Sequence, residues 1–426
     1  MKIAFVVLPA PGHLYPTTAL ARRLKSRGHD VVVIATADVE PLVRGADLRF
    51  VPFGEKQYPP GRLAETLGQL SKLQGQEALE LTFQKIAEFM EMAFAELPRV
   101  LQNQRIDAVV LDEAIFDLGL VPMHLGMPYV HISNALPFDF SGNTPPCVYP
   151  WPHETAPEAL ARNREGAQRF AQMDKPRIEV VRAYARLVGL DIDWNDPFAT
   201  ISRLAWMVQM PREFDFEAAA WPKQFHYTAP WHDGSGRMDT NFPWDRLTGD
   251  PLIYASMGTL MNGQDAVFST ISEAVGKRPG LQLVLSIGPN LDPAYIQSVP
   301  AKAIVVQQAP QLELLKRSVL CITHAGLNTT LESLAQGVPM VALPVANDQF
   351  GVAARIAQTR TGVVVDLPGV TAAKLSGAID EVLSNSEYRQ NAEKLKKAIG
   401  ENDGLEIAVD LLEEAFSFVP SAAVAP

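Results

Sequence analysis

Short unbroken apolar runs alternate with longer helix-patterned segments along this chain, and the rhythm starts twice, once at the N-terminus and again past residue 250. Residues 3–8, 30–35 (DVVVIA), 107–111 (DAVVL) and 129–132 (YVHI) carry it in the first half. Apolar runs without alternation suit strands buried on both faces. Strand, helix, strand in this order predicts a parallel sheet with right-handed crossovers. Residues 17–27 have helical spacing and stop at Gly28, a favoured C-terminal cap. Residues 67–101 read as long helices, 151–200 as a charged helical insertion, and 206–210 as the last strand of this unit. The stretch 230–245 (PWHDGSGRMDTNFPWD) is polar and turn-rich, a linker by composition. Candidate strands then follow at 252–256, 281–286, 303–306, 320–323, 340–343 and 362–365.

The expected fold is therefore α/β, two Rossmann-like units facing each other across a cleft. A chain of 426 residues is too long for a single core. The division is 1–234, a linker at 235–249, a second unit at 250–404, and a helix and tail at 405–426 that can pack back on the first unit. Ligands of such sheets bind beyond the carboxyl ends of the strands. A net charge of −11 argues against a nucleic-acid partner. The two cysteines, Cys147 and Cys321, form neither a disulfide framework nor a zinc motif. The apolar N-terminus ends in Pro-Gly-His and reads as a buried strand rather than a signal peptide. No apolar run reaches the roughly 18 residues of a membrane span, so a cytoplasmic protein is expected.

The densest chemical signal lies in residues 306–350. CITHAG reads as a strand ending in His324 and Gly326, and Asn328 and Thr329 open the next helix. A helix N-terminus offers unpaired N–H groups and about half a positive charge, which suits a diphosphate. Glu332, a turn into the helix, can accept from ribose hydroxyls. Asp348 and Gln349 follow another strand end and can bind sugar hydroxyls.

These residues, with Gly337-Val338-Pro339 and Pro344, resemble the donor-binding signature of the UDP-glycosyltransferase superfamily, H-x-G-x-N-[ST]-x-x-E, G-V-P, P-x-x-x-D-Q. The resemblance implies the GT-B fold. It implies His324, Gly326, Asn328 and Thr329 at the phosphates, Glu332 on the ribose, and Asp348 and Gln349 on the sugar. It places Ser256, Gly258 and Thr259 near the phosphates, and Gln308 and Ala309 at the base. Plant members usually carry Trp at or beside the position of Gln308. The implied donor is a UDP-sugar, UDP-glucose first, with Glu332 favouring a ribose 2′-hydroxyl over dTDP. It acts as a co-substrate, so no cofactor is expected. Details such as THAGLNT and LPAPGHLYPTTALARRL resemble the bacterial carotenoid and natural-product glucosyltransferase branch.

In the first unit, Pro11-Gly12 bend the chain after the first strand and set His13 at the sheet edge, just before a helix. A neutral His is the usual general base near pH 7. Asp112 follows DAVVL at another carboxyl end and can orient the imidazole, with Glu113 as the runner-up. The family places a catalytic His and Asp at these positions. Phe83, Phe89 and Met90, with Phe138, are candidate lining for a small hydrophobic hydroxylated acceptor. If that acceptor dissolves in membranes, the rim of the first unit touches the bilayer peripherally. No metal-ligand spacing occurs, so metal is expected to be absent. The rival readings are a nucleotide-sugar epimerase and a catalytically silent nucleotide-sugar-binding protein; His13 and Asp112 speak against both. No sequence feature sets the oligomeric state. Replacing His13 by Ala is expected to cut turnover roughly 10²–10⁴-fold while leaving UDP binding in place, read by steady-state kinetics beside calorimetry; unaltered turnover would remove His13 from the reaction.

Overall fold

The computed structural model describes residues 1–70, 72–73, 75–235, 240–258, 265–289 and 291–417. Among them the chain builds two all-parallel sheets. The first has seven strands in the order β3-β2-β1-β4-β5-β6-β7: β1 Lys2–Val6, β2 Asp30–Ala35, β3 Arg49–Pro52, β4 Ala108–Asp112, β5 Tyr129–Ser133, β6 Trp206–Val208 and β7 Phe225–Tyr227. The second has six in the order β10-β9-β8-β11-β12-β13: β8 Leu252–Ser256, β9 Gln282–Ser286, β10 Ile304–Val306, β11 Ser318–Thr323, β12 Met340–Ala342 and β13 Gly362–Val364. Both are doubly wound. Their strand order reverses between β1 and β4 in the first and between β8 and β11 in the second.

The central strands are the apolar runs legible in the sequence, and Ile3 to Val6 are at most 1% exposed. Two strands were not legible, and both lie at sheet edges. β3 (RFVP) is short and ends in proline, which an edge tolerates. β7 (FHY) is three half-buried residues. Edge strands need no apolar residues on both faces, so they leave no unbroken run. The sheet thus ends at β7 rather than at residues 206–210. A second correction concerns the first helix, which spans Pro11–Ser26 and starts well before residue 17. Proline is at home in the first turn, where its missing N–H costs nothing, so His13 stands inside that turn instead of ahead of it.

The helix Gly404–Ser417 returns to the first sheet. Its Leu405, Val409, Leu412 and Phe416 join the core formed by Phe5, Leu20 and Val33. Arg27 pairs with Asp410 at 2.8 Å and Glu413 at 3.1 Å, and with Glu406, which also holds Arg23. Gly404 lies so close to Ala229 that an added Cβ would collide with its carbonyl oxygen.

The two units also meet through their interiors. Leu136, Phe138, Met210 and Phe214 share one apolar cluster with Leu327, Val352 and Ile356. At its side Arg355 donates to Asp215 Oδ1 from Nε at 3.0 Å and Nη2 at 2.6 Å. Trp221 Nε1 and the Tyr227 hydroxyl fill Asp215 Oδ2 at 2.9 and 2.6 Å. Arg355 is 2% exposed and lies 4.2 Å over the Phe216 ring. Removing one member of a buried, hydrogen-bonded ion pair strands its partner's charge. Arg355→Ala is expected to cost about 3–5 kcal/mol, read as a lowered urea midpoint; a variant that unfolds like the parent would show the pair to be expendable.

Candidate active site

In a doubly wound sheet the crevice opens where the strand order reverses. His13 follows β1 and Asp112 ends β4, so both stand at the first reversal, where β1 and β4 pair directly. Ser256 and Gly258 follow β8, and His324 to Gly326 follow β11, at the second. The two reversals face each other. The Asn328 side-chain amide donates to the Gly12 carbonyl at 2.6 Å, directly before His13. Between them lies a cleft of about 800 Å³ lined from both units.

His13 Nδ1 lies 2.7 Å from Asp112 Oδ2. Asp112 also accepts from Leu8 N and Ala114 N, each at 3.2 Å, and is 1% exposed. An ionised carboxylate can only accept, so Nδ1 carries the proton and Nε2 of the neutral ring keeps a lone pair. That is the tautomer a general base needs. Burial lowers the His13 pKa, but the charge and hydrogen bond of Asp112, with Asp348 and Glu113 behind them, outweigh it and raise the group above the ordinary 6.5. Glu113 makes no bond to His13. Burial, then the charge of Asp112, pushes its carboxyl up to about 8.

On the other wall, the helix Leu327–Ala335 points its N-terminus at the cleft. The turn before it passes through Ala325 at φ 61°, a left-handed conformation that a side chain adopts at a cost. Gly258 and Gly326 enclose the His324 imidazole, and a methyl group on either would collide with it. Burial, against a backbone contact with Ser256, pushes His324 down to about 4. It is therefore a neutral hydrogen-bonding group, and its Nδ1 has no partner among the described residues. Glu332 is 3% exposed and accepts from Gln311 Nε2 at 2.6 Å; the same amide reaches Thr329 Oγ1 at 3.3 Å. Gln308 and Ala309 line the cleft beside them. Asp348 accepts from Leu136 N at 3.0 Å across the domain boundary, and burial raises its pKa against that bond and the charge of His13. Gln349 Oε1 is taken by Val345 N and Ala346 N, which leaves its amide N–H groups to donate. Thr259 lies outside the described residues.

Phe83, Phe89 and Phe138 line the cleft on the His13 side, with Phe140 and Phe170. Met90 does not. It is fully buried against Ala4, Val6 and Val32, because neighbouring helix positions differ by about 100°, and with Phe89 on the cleft Met90 turns to the sheet. Sequence reasoning missed Asn134 and Gln209, and it placed Gln311 in the segment that resembles a base-binding one, whereas the structure puts its amide on Glu332. Gln209 Nε2 donates to Asn134 O at 3.0 Å and Asn328 Oδ1 at 2.8 Å, and so holds the donor-side amide. Asn134 and Gln209 directly follow β5 and β6, and a polar residue at a parallel strand's carboxyl end was the signal available. Among the described residues no three His, Cys, Asp or Glu side chains converge as a metal site would require, and no helix is long and apolar enough to cross a membrane.

Two facing doubly wound domains with a site split across the cleft define a GT-B glycosyltransferase fold. Residues 249–403 match the family described as UDP-glucoronosyl and UDP-glucosyl transferase. The chain is 27% identical over 412 residues to a zeaxanthin glucosyltransferase of Pantoea ananas, covering 96% of this chain and 95% of that protein. It is 28% identical over 425 residues to the demethyllactenocin mycarosyltransferase of Streptomyces fradiae, covering 97% and 86%. Among solved structures, the calicheamicin glycosyltransferase CalG4 superposes with a TM-score of 0.74 at 21% identity, over 98% of both chains. The dyad geometry yields a pH test. With Asp112→Asn, burial is left to dominate at His13 and its pKa falls, so the acid limb of the kcat/KM profile should move to lower pH while the plateau drops. An acid limb that stays in place would detach it from the His13–Asp112 pair.

Proposed function

We propose that this enzyme transfers a hexose, glucose first, from a UDP-sugar to a hydroxyl of a small hydrophobic acceptor, with inversion at the anomeric carbon. The observation that carries this reading is the His13–Asp112 pair facing the helix N-terminus beside His324 across one cleft. His13 Nε2 takes the acceptor O–H proton, and the freed oxygen attacks the anomeric carbon in line. The bond from that carbon to the diphosphate oxygen breaks, and UDP departs with the bonding pair. Its growing charge meets the N–H groups of the helix Leu327–Ala335 and the neutral His324 ring. One displacement exchanges the anomeric face.

The apolar wall of Phe83, Phe89, Phe138 and Phe170 supports a hydrophobic acceptor, as do relatives named for zeaxanthin and demethyllactenocin. Glu332 beside the ribose position supports uridine, although one structural neighbour, a spinosyn rhamnosyltransferase, was solved with thymidine diphosphate. The test is UDP release from UDP-glucose with carotenoid, flavonoid, terpenoid and macrolide acceptors, analysed by mass. Acceptor-dependent release with a hexose increment is expected. Donor conversion to another UDP-sugar without an acceptor would replace the reading with an epimerase.

A further inference from the structure

A cleft that buries its ligand must answer the polar groups on its wall, because a buried charge or hydrogen-bonding group without a partner is costly. Among the described residues on this lining, the carboxyl, ammonium and guanidinium groups are answered with one exception. Lys85 donates to Glu88 at 2.8 Å, and Glu313 accepts from Lys316 at 2.6 Å. Glu332 holds the Gln311 amide, and Asp348 holds the Leu136 N–H. Arg177 is shared by two carboxyls, its Nε donating to Asp174 at 2.8 Å and its Nη1 paired with Asp117. The exception is Glu113. It lines the cleft half-buried, and no hydrogen bond or ion pair reaches its carboxyl.

Its place in the chain says where the missing partner must stand. Glu113 directly follows Asp112, the carboxylate that holds His13, and consecutive Cα atoms are about 3.8 Å apart. Its charge is felt by His13 and by Arg177 alike. Past Arg177 the wall turns aromatic. Asp174 N donates to the Phe170 carbonyl one helical turn back, at 3.0 Å. The Phe170 ring meets Phe138 at 4.0 Å and Phe83 at 5.0 Å between centroids. An acceptor whose body lies on these rings and whose hydroxyl reaches His13 therefore brings its reacting end to Glu113. The group it offers there is a hydroxyl rather than an ammonium, because Arg177 is close enough to repel a cation. A carboxyl held up at about 8 by burial and by Asp112 donates when protonated and accepts in either form, and a hydroxyl likewise does both.

We infer that Glu113 binds a second hydroxyl of the acceptor, on the atom next to the one that is glycosylated, and that the enzyme thereby selects hydrophobic vicinal diols over mono-ols. This rests on the acceptor reading above. Glu113 is a specificity residue: it leaves the base chemistry to His13 and Asp112, and the second hydroxyl keeps its proton. A few placed polar groups on a largely apolar wall fix a ligand's orientation, so the same contact chooses which hydroxyl faces His13. A site built around a hydroxyl rejects the analogue that lacks it, since its own polar group is then left buried and unpaired.

The test uses para-butylcatechol and para-butylphenol as acceptors with saturating UDP-glucose, on the full-length protein and on Glu113→Leu and Glu113→Gln, and reads the ratio of the two kcat/KM values. The parent is expected to favour the catechol roughly ten-fold or more. The Leu variant is expected to lose most of that ratio. The Gln variant, which still donates and accepts, is expected to keep most of it. Comparing ratios between proteins cancels the catechol's own acidity and its extra reactive hydroxyl. A parent without the preference overturns the inference, and so does a ratio that survives in the Leu variant. A raised KM for UDP-glucose in the Leu variant, with the acceptor ratio intact, moves Glu113 to the donor sugar and likewise overturns it. A parent that glycosylates neither these probes nor any carotenoid, flavonoid, terpenoid or macrolide overturns the acceptor reading itself, and the diol preference falls with it.

Discussion

The ion pair between Arg355 and Asp215 decides how the two sheets face each other. Arg355 stands on the helix Gln349–Gln358, whose first turn carries Gln349 next to Asp348. Asp215 stands just beyond β6, near Gln209. Burying both charges is costly unless every lone pair and proton finds a partner. Here both carboxylate oxygens are filled, and the guanidinium has an aromatic ring beneath it. Burial alone would raise the Asp215 pKa, but Arg355, Tyr227 and Trp221 outweigh it and hold the carboxylate ionised. A contact this specific has one geometry, so the strand ends on the two sides meet in one register. The bonds of Asn328 to Gly12 and of Leu136 to Asp348 follow from that register.

Given that alignment, the chemistry divides by topology. Each sheet supplies one reversal of strand order, and each reversal carries a histidine in a different state. His13 is held by an anion and raised above its ordinary pKa. His324 is enclosed by glycine backbone and pushed down to about 4. The same side chain thereby becomes a base on one wall and a neutral hydrogen-bond partner on the other. What differs is the neighbour: a buried carboxylate against close-packed Cα hydrogens.

Most of this was legible in the sequence because central strands and helix starts have strong local causes. Residues 30–35 and 252–256 are two-sided apolar runs and fold as read. His13, Asp112 and His324 sit at strand ends that any such run announces. The failures have causes too. β3 and β7 lie at edges and carry no two-sided pattern. Met90 shares a helix with Phe83 and Phe89, and only the docking of that helix decides which positions reach the cleft. Gln209 and Gln311 act on Asn328 and Glu332 over long stretches of chain, a relation that no spacing rule expresses. Asp215 and Arg355 are 140 residues apart, and no spacing rule pairs them.

The place where Gly404 meets Ala229 has a mechanical meaning. The chain leaves the first unit a few residues beyond Ala229, after Trp231 and Asp233 have packed on it, and returns to it at Gly404, whose backbone lies against Ala229. Two lobes joined at two distant points would be locked, and two joined by one loose thread would tumble. Joined by adjacent strands of chain, they share a single pivot. Rotation about it would open the cleft mouth as a jaw opens, swinging the far rim widely while the atoms at the pivot scarcely shift. Such a rotation would have to break the cross-cleft bonds of Asn328, Asp348 and Arg355 and to part the apolar cluster that Leu136 and Phe138 share with Leu327 and Val352.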